Sequence, residues 1–220
     1  MEPLIALNLK TYCESLGNRG AQLVQIASEV SLLTGIRIII APQATDLRVA
    51  SEIHSDVFAQ HVDPQSQGAY TGHLSVEAIA DSGCRGSILN HSEHRLGDDL
   101  IGKTITRLKE TKMESILCAK DEAESARLAG FEPTFIAVEP PELIGSGISV
   151  SSAKPEIVTG AVGAVADVNS TPVLCGAGVS NAEDVEKALA LGASGVLLAS
   201  AFVKSADPKK LLMEMAEVMR

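Results

Sequence analysis

What most constrains the fold of this chain is an alternation that runs from one end to the other. Short apolar runs lie at residues 4–7, 36–41, 57–62, 86–89, 114–119, 134–138, 172–175 and 195–199. Each is mostly Val, Ile, Leu or Ala, as expected of parallel strands buried on both faces. Helical cues fill the gaps between them. Ser180-Asn181-Ala182-Glu183 reads as a capping box, with Ser180 as N-cap and Glu183 reaching back. Val185, Ala188, Leu189 and Leu191 supply an apolar stripe, and Gly192 stops the helix. Residues 75–82 end on Gly83 in the same way, and residues 211–218 close the chain as an amphipathic helix after Asp207-Pro208.

Eight such units follow one another without a composition break or a Gly/Ser-rich linker. That pattern predicts an α/β chain forming one (β/α)8 barrel domain over residues 1–220, with an open doubly wound sheet as the alternative. The units are compact for a barrel, so several helices must be short, notably those after Ile40 and Ala119.

The bulk numbers exclude several kinds of partner. Apolar residues make up 45% and charged residues 21%, a globular composition with material for a real core. No apolar run approaches the about 18 residues that a bilayer span needs, and no basic segment precedes an apolar one at the N-terminus. A net charge of −10, without a basic run or any Trp, argues against nucleic acid. An acidic protein binds an anion only locally, through backbone N–H groups or one inward lysine. Cys13, Cys84, Cys118 and Cys175 lie far apart without metal-ligand spacing, which reads as free thiols in a reducing cytoplasm and gives no metal or other cofactor.

Barrel active sites lie at the C-terminal ends of the strands. The polar residues expected there are Asn8 and Lys10, Gln60 and His61, Asn90, His91 and Glu93, Glu139, Gly176 and Gly178, and Ser200. Asn8 and Lys10 share a period-2 register and point into the mouth together. His91 follows a strand and precedes Ser92-Glu93, a pair that can cap a helix whose positive end disfavours an imidazolium. His61 and His94 read as structural. Glu139 ends an apolar strand and is followed by the rigid Pro140-Pro141 pair. A segment closing on Gly145 and Gly147 comes next, so a carboxylate sits at the root of a hinged flap. Cys175-Gly176-Ala177-Gly178 and Leu198-Ala199-Ser200 leave backbone N–H groups open at the ends of the last two strands. Loops at that place often hold phosphate.

Taken in order, Asn8-Leu9-Lys10, Ala59-Gln60-His61, Gly68-Ala69-Tyr70-Thr71-Gly72, Asn90-His91-Ser92-Glu93 and Glu139-Pro140-Pro141 through Gly145-Ser146-Gly147 resemble the triosephosphate isomerases, most of all the short archaeal form. The resemblance runs through all eight strands and implies a TIM barrel. It implies an isomerase that interconverts dihydroxyacetone phosphate and glyceraldehyde 3-phosphate through an enediol. Glu139 would be the base, His91 the neutral electrophile and Lys10 the cation facing developing oxyanion charge. Asn8 would orient the substrate oxygen, and Glu93 would pair with Lys10. Backbone groups at Gly145, Gly176, Ala177, Gly178, Ala199 and Ser200 would hold the phosphate. The family also assembles through the loop after the third strand, here residues 67–73 from Gln67 to His73, which implies a homodimer or homotetramer. Many members read Gly-His-Ser-Glu-Arg-Arg where this chain has Asn90 and His94. His73 stands where many have a Glu paired with an Arg, here Arg95. Gly178 replaces a Ser, and Ala199-Ser200 a Gly pair. Two other readings remain open at this stage: a phosphate-binding barrel without catalysis, and a different phosphosugar enzyme such as an epimerase or synthase.

Overall fold

A computed structural model describes residues 2–140 and 150–220. In chain order it contains β1 (Leu4–Asn8), α1 (Asn18–Thr34), β2 (Arg37–Ala41), α2 (Leu47–Ile53), β3 (Phe58–Ala59), α3 (Val76–Asp81), β4 (Gly86–Leu89), α4 (Asp98–Glu110) and β5 (Glu114–Ala119). It continues with α5 (Glu122–Ala129), β6 (Phe135–Val138), α6 (Val150–Ala153), α7 (Pro155–Ala166), β7 (Val173–Cys175), α8 (Ala182–Ala190), β8 (Gly195–Leu198), α9 (Ser200–Val203) and α10 (Pro208–Glu217).

The strands follow one another around a single parallel sheet in the order β2-β1-β8-β7-β6-β5-β4-β3. β8 pairs with β1 in the register Leu4↔Gly195 to Leu7↔Leu198. The ring closes between β2 and β3 through the bridge Ile40↔Val57, where the Ile40 N–H donates to the Asp56 carbonyl at 3.0 Å. A doubly wound sheet would reverse its strand order in the middle and leave two open edges. This is a barrel.

Alternation along the strands divides the apolar residues between two layers. Leu4, Ala6, Ile39, Ala41, Phe58, Ile88, Ile116, Cys118, Phe135, Ala137, Leu174 and Leu197 fill the barrel interior. Their neighbours, such as Ile5, Leu7, Ile38, Leu117 and Val196, face the helices. Both sets are dry, which is why the strands read as continuous apolar runs rather than alternating ones. Arg37, at the start of β2, sits 5.9 Å above the Phe135 ring and bonds Asp56 and Glu114 at 2.8 and 2.9 Å. These charges meet at the N-terminal strand ends and leave the opposite end to the site.

Local differences from the sequence reading have identifiable causes. The cap of α8 lies one residue later than expected. Asn181 is the N-cap and accepts from the Asp184 N–H at 2.9 Å, while Asp184 accepts from the Ser180 N–H and hydroxyl at 2.9 and 3.0 Å. Glu183 pairs with Lys187 instead of reaching back. β3 stops at Ala59, because at Gln60 the chain turns and the side chain, not the backbone, bonds its neighbours. The helices after β2 and β5 are short, with seven and eight residues. Among the described residues no helix is long and apolar enough to cross a membrane.

Candidate active site

A cavity of about 300 Å³ opens over the C-terminal strand ends. It is lined by Asn8, Lys10, Tyr12, His91, Glu139, Gly176, Gly178, Val179, Ser180, Leu197, Leu198, Ala199, Ser200 and Ala201. Five strands or the loops after them therefore supply one mouth.

Glu139 is held by the sheet on both sides. Its N–H donates to the Ala119 carbonyl at 2.7 Å, and the carbonyl of Val138 accepts from Gly176 at 3.0 Å. The side chain lies over β7, where a Cβ on residue 176 would come within 2.4 Å of the Glu139 Cγ. Only glycine leaves that space. The carboxylate is 5% exposed, and among the described residues its Oε2 has no hydrogen-bond partner. Burial pushes the carboxyl above its ordinary range, partly offset by a hydrogen bond from the Cys118 thiol and by Lys10.

His91 faces Glu139, with its Nε2 3.6 Å from Oε1. Its Nδ1 accepts from the Glu93 backbone N–H at 3.1 Å. A nitrogen that accepts carries no proton, so the ring is neutral with its hydrogen on Nε2, directed at the cavity. The device differs from the one expected. Residues 92–94 form a turn closed by His94 N–H to His91 carbonyl at 2.8 Å, and α4 begins only at Asp98. One backbone amide, rather than a helix N-terminus, selects the tautomer.

The turn is anchored from below. Asn90 adopts φ +57 and is buried. Its Nδ2 donates to the Cys118 carbonyl and its Oδ1 accepts from the Leu96 N–H, both at 2.9 Å. A side chain that bonds locally in this way suits the left-handed region, and a glycine there would lack both bonds. Arg95 bonds the Asn90 carbonyl at 3.1 Å and Glu124 of α5 at 2.5 and 2.6 Å. Arg95 thus finds its carboxylate within the chain. His73 instead lies 3.4 Å from Asp63, which also faces His61 at 3.2 Å.

Lys10 places its Nζ 2.8 Å from Glu93 Oε1. Asn8 is the last residue of β1, but Lys10 has already left strand geometry at φ +46. Both line the cavity, so the expected shared direction is reached by a turn rather than by strand alternation.

On the far wall, Gly176 and Gly178 line the cavity, Gly178 with φ +71, while Ala177 between them is buried. Ala199 and Ser200 open the short α9 beside them. Gly145 and the flap residues from Pro141 to Gly147 lie outside the described residues. Cys175 is fully buried with its thiol pushed up to about 12, which leaves it protonated. His61 and His94 stack on each other at 4.2 Å and stay out of the cavity. Sequence reasoning missed Tyr12, Val179 and Ser180 as cavity residues, neutral side chains whose position in loops carries no periodic signal. Among the described residues no group of three or more His, Cys, Asp or Glu is arranged to hold a metal.

A closed parallel barrel that gathers a buried carboxylate, a neutral imidazole and a lysine over its C-terminal strand ends is the build of a barrel enzyme. Comparison with known proteins makes the class specific. A family model described as triosephosphate isomerase matches residues 3–218. The triosephosphate isomerase of Methanocaldococcus jannaschii is 48% identical over 96% of this chain and 98% of its own length. That of Methanothermus fervidus is 48% identical over 99% of both. That of Cenarchaeum symbiosum is 42% identical over 99% and 98%. The chain belongs to the triosephosphate isomerase family in its archaeal form, a family of isomerases.

Proposed function

We propose that this barrel interconverts dihydroxyacetone phosphate and D-glyceraldehyde 3-phosphate through an enediol(ate), with Glu139 as the base. The observation that carries the reading is the pair formed by the buried Glu139 carboxylate and the His91 Nε2, 3.6 Å apart in the cavity. A proton α to a carbonyl is removed only if the oxygen is polarised as the C–H bond breaks. The Glu139 carboxylate, which lines the cavity, takes the proton from one carbon and returns it to the next. His91, proton on Nε2, donates to the substrate oxygens. Lys10 faces the charge that develops on them, and Asn8 orients the carbonyl. Glu93 keeps Lys10 in place at 2.8 Å.

A raised carboxyl suits this task, since a base closer to neutral holds a proton long enough to pass it on. Gly176, Gly178, Ala199 and Ser200 border the wall where backbone N–H groups would receive the phosphate; the resemblance to the family adds Ala177 and Gly145, the latter outside the described residues. No cofactor enters the scheme. We further infer a cytoplasmic homodimer or homotetramer joined through residues 67–73. Asp63 pinches the base of that loop by accepting from Leu74 N–H at 2.7 Å, while Tyr70 at its tip is 49% exposed.

Turnover of glyceraldehyde 3-phosphate in a coupled assay tests the reading. Rapid isomerisation is expected. A folded protein that binds a triose phosphate without turning it over would overturn it in favour of a binding barrel, and turnover of a different phosphosugar would make it another barrel enzyme.

A further inference from the structure

We propose that Gln60 is a positioning residue for Lys10. Lys10 adopts φ +46, a conformation that a side-chain-bearing residue rarely takes and that the local sequence does not impose. Two side-chain amides hold it there. Asn8 Oδ1 accepts from the Lys10 N–H at 3.0 Å on one side. On the other, Gln60 Nε2 donates to the Lys10 carbonyl at 3.0 Å and to the Ala41 carbonyl, also at 3.0 Å. Among the described residues no other donor reaches the Lys10 carbonyl.

Gln60 therefore uses both hydrogens of its amide to clamp the ends of β1 and β2 from the end of β3. The clamp lies where those two strands stop pairing, for the Ala41 carbonyl also accepts from the Leu9 N–H at 3.0 Å. With the backbone fixed on both sides, the Lys10 side chain leaves in one direction and its Nζ arrives 2.8 Å from Glu93. Without the amide, Lys10 relaxes toward ordinary φ values and its ammonium swings away from the cavity. Gln60 itself does not line that cavity, so it acts through Lys10 and not on the substrate.

The inference rests on the role given to Lys10 above, and a double-mutant cycle separates the two. Gln60→Met keeps length and removes the donors; Lys10→Met removes the cation. Kinetics of glyceraldehyde 3-phosphate isomerisation are measured for both variants and the double variant, with thermal unfolding of each alongside. Lys10→Met should lower kcat/KM at least about a hundredfold. Gln60→Met should raise KM and lower kcat/KM about ten- to a hundredfold, and should have no further effect in the Lys10→Met background. A loss in that background as large as in the wild type would make Gln60 merely structural and overturn the proposal. So would a wild-type kcat/KM for Gln60→Met beside a disabled Lys10→Met. If Lys10→Met keeps full activity, it is the lysine assignment that fails. Should Gln60→Met not fold, Gln60→Glu removes the same donors in the same shape and is read the same way.

Discussion

At the scale of single residues, the site depends on where a few atoms cannot be. Gly176 is required because Glu139 passes across it, 2.4 Å from where a Cβ would stand. Gly176→Ala is therefore expected to displace the carboxylate and lower kcat roughly a hundredfold. A folded variant with wild-type kcat would show that the carboxylate tolerates the shift. Burial sets a pH dependence on Glu139 as well. Its folded pKa lies above the ordinary 4.5, with desolvation as the main cause. Below 4.5 both the folded and the unfolded chain hold the proton, and the group has no cost. As pH rises through the folded value, the native state must keep an ionised carboxylate in a dry place, and stability is lost. Glu139→Gln should thus melt higher than wild type above that window, with the difference fading toward about pH 4. An unchanged difference at both ends would contradict the raised pKa. The sequence revealed Glu139, His91 and Lys10 by their places after apolar runs. It could not reveal the neutral tautomer of His91, which hangs on one Glu93 amide in a turn.

At the scale of elements, the strands were legible because parallel barrel strands are buried on both faces and read as uninterrupted Val, Ile and Leu. Their ends were harder to see. Val57 and Val62 carry the same apolar signal as Phe58-Ala59, yet the chain past Ala59 turns to give the Gln60 amide to β1 and β2. The helix after β7 shows the same limit. Ser180 and Asn181 are both good caps, and only the position of Asp184 decides between them, since it bonds back to Ser180 while Asn181 takes the Asp184 N–H. Asn181→Ala should cost about 1 kcal/mol, the usual loss of a cap, whereas Glu183→Ala should cost a few tenths. Denaturant unfolding of the two variants measures this, and the reverse order would restore the Ser180 and Glu183 box. The turn after β4 was expected as a helix start for the same reason. Ser92 and Glu93 have cap chemistry, but Asn90 and Arg95 tie the segment to β5 and α5 and delay the helix to Asp98.

For the whole molecule, ring closure places residues 8, 10, 91 and 139, distant in the chain, around one cavity, and charges on Arg37, Asp56 and Glu114 occupy the other end. The loop 67–73 reaches outward from the rim, and exposed Leu16, Val49 and Tyr70 follow β1, β2 and β3. Those side chains predict self-association. Sedimentation of the wild type should show a dimer or tetramer, and Tyr70→Asp should weaken it; a wild-type monomer at micromolar concentration would contradict the assembly. Under the proposed function, Glu139 carries a proton between neighbouring carbons of a triose phosphate. Isomerisation of dihydroxyacetone phosphate in D2O, followed by NMR, tests it most directly. Hydrogen carried over from C1 in part of the glyceraldehyde 3-phosphate and deuterium at C2 in the rest are expected, with a rate about 10² to 10⁴-fold lower in Glu139→Gln. Product formation or deuterium incorporation by Glu139→Gln at the wild-type rate would contradict it.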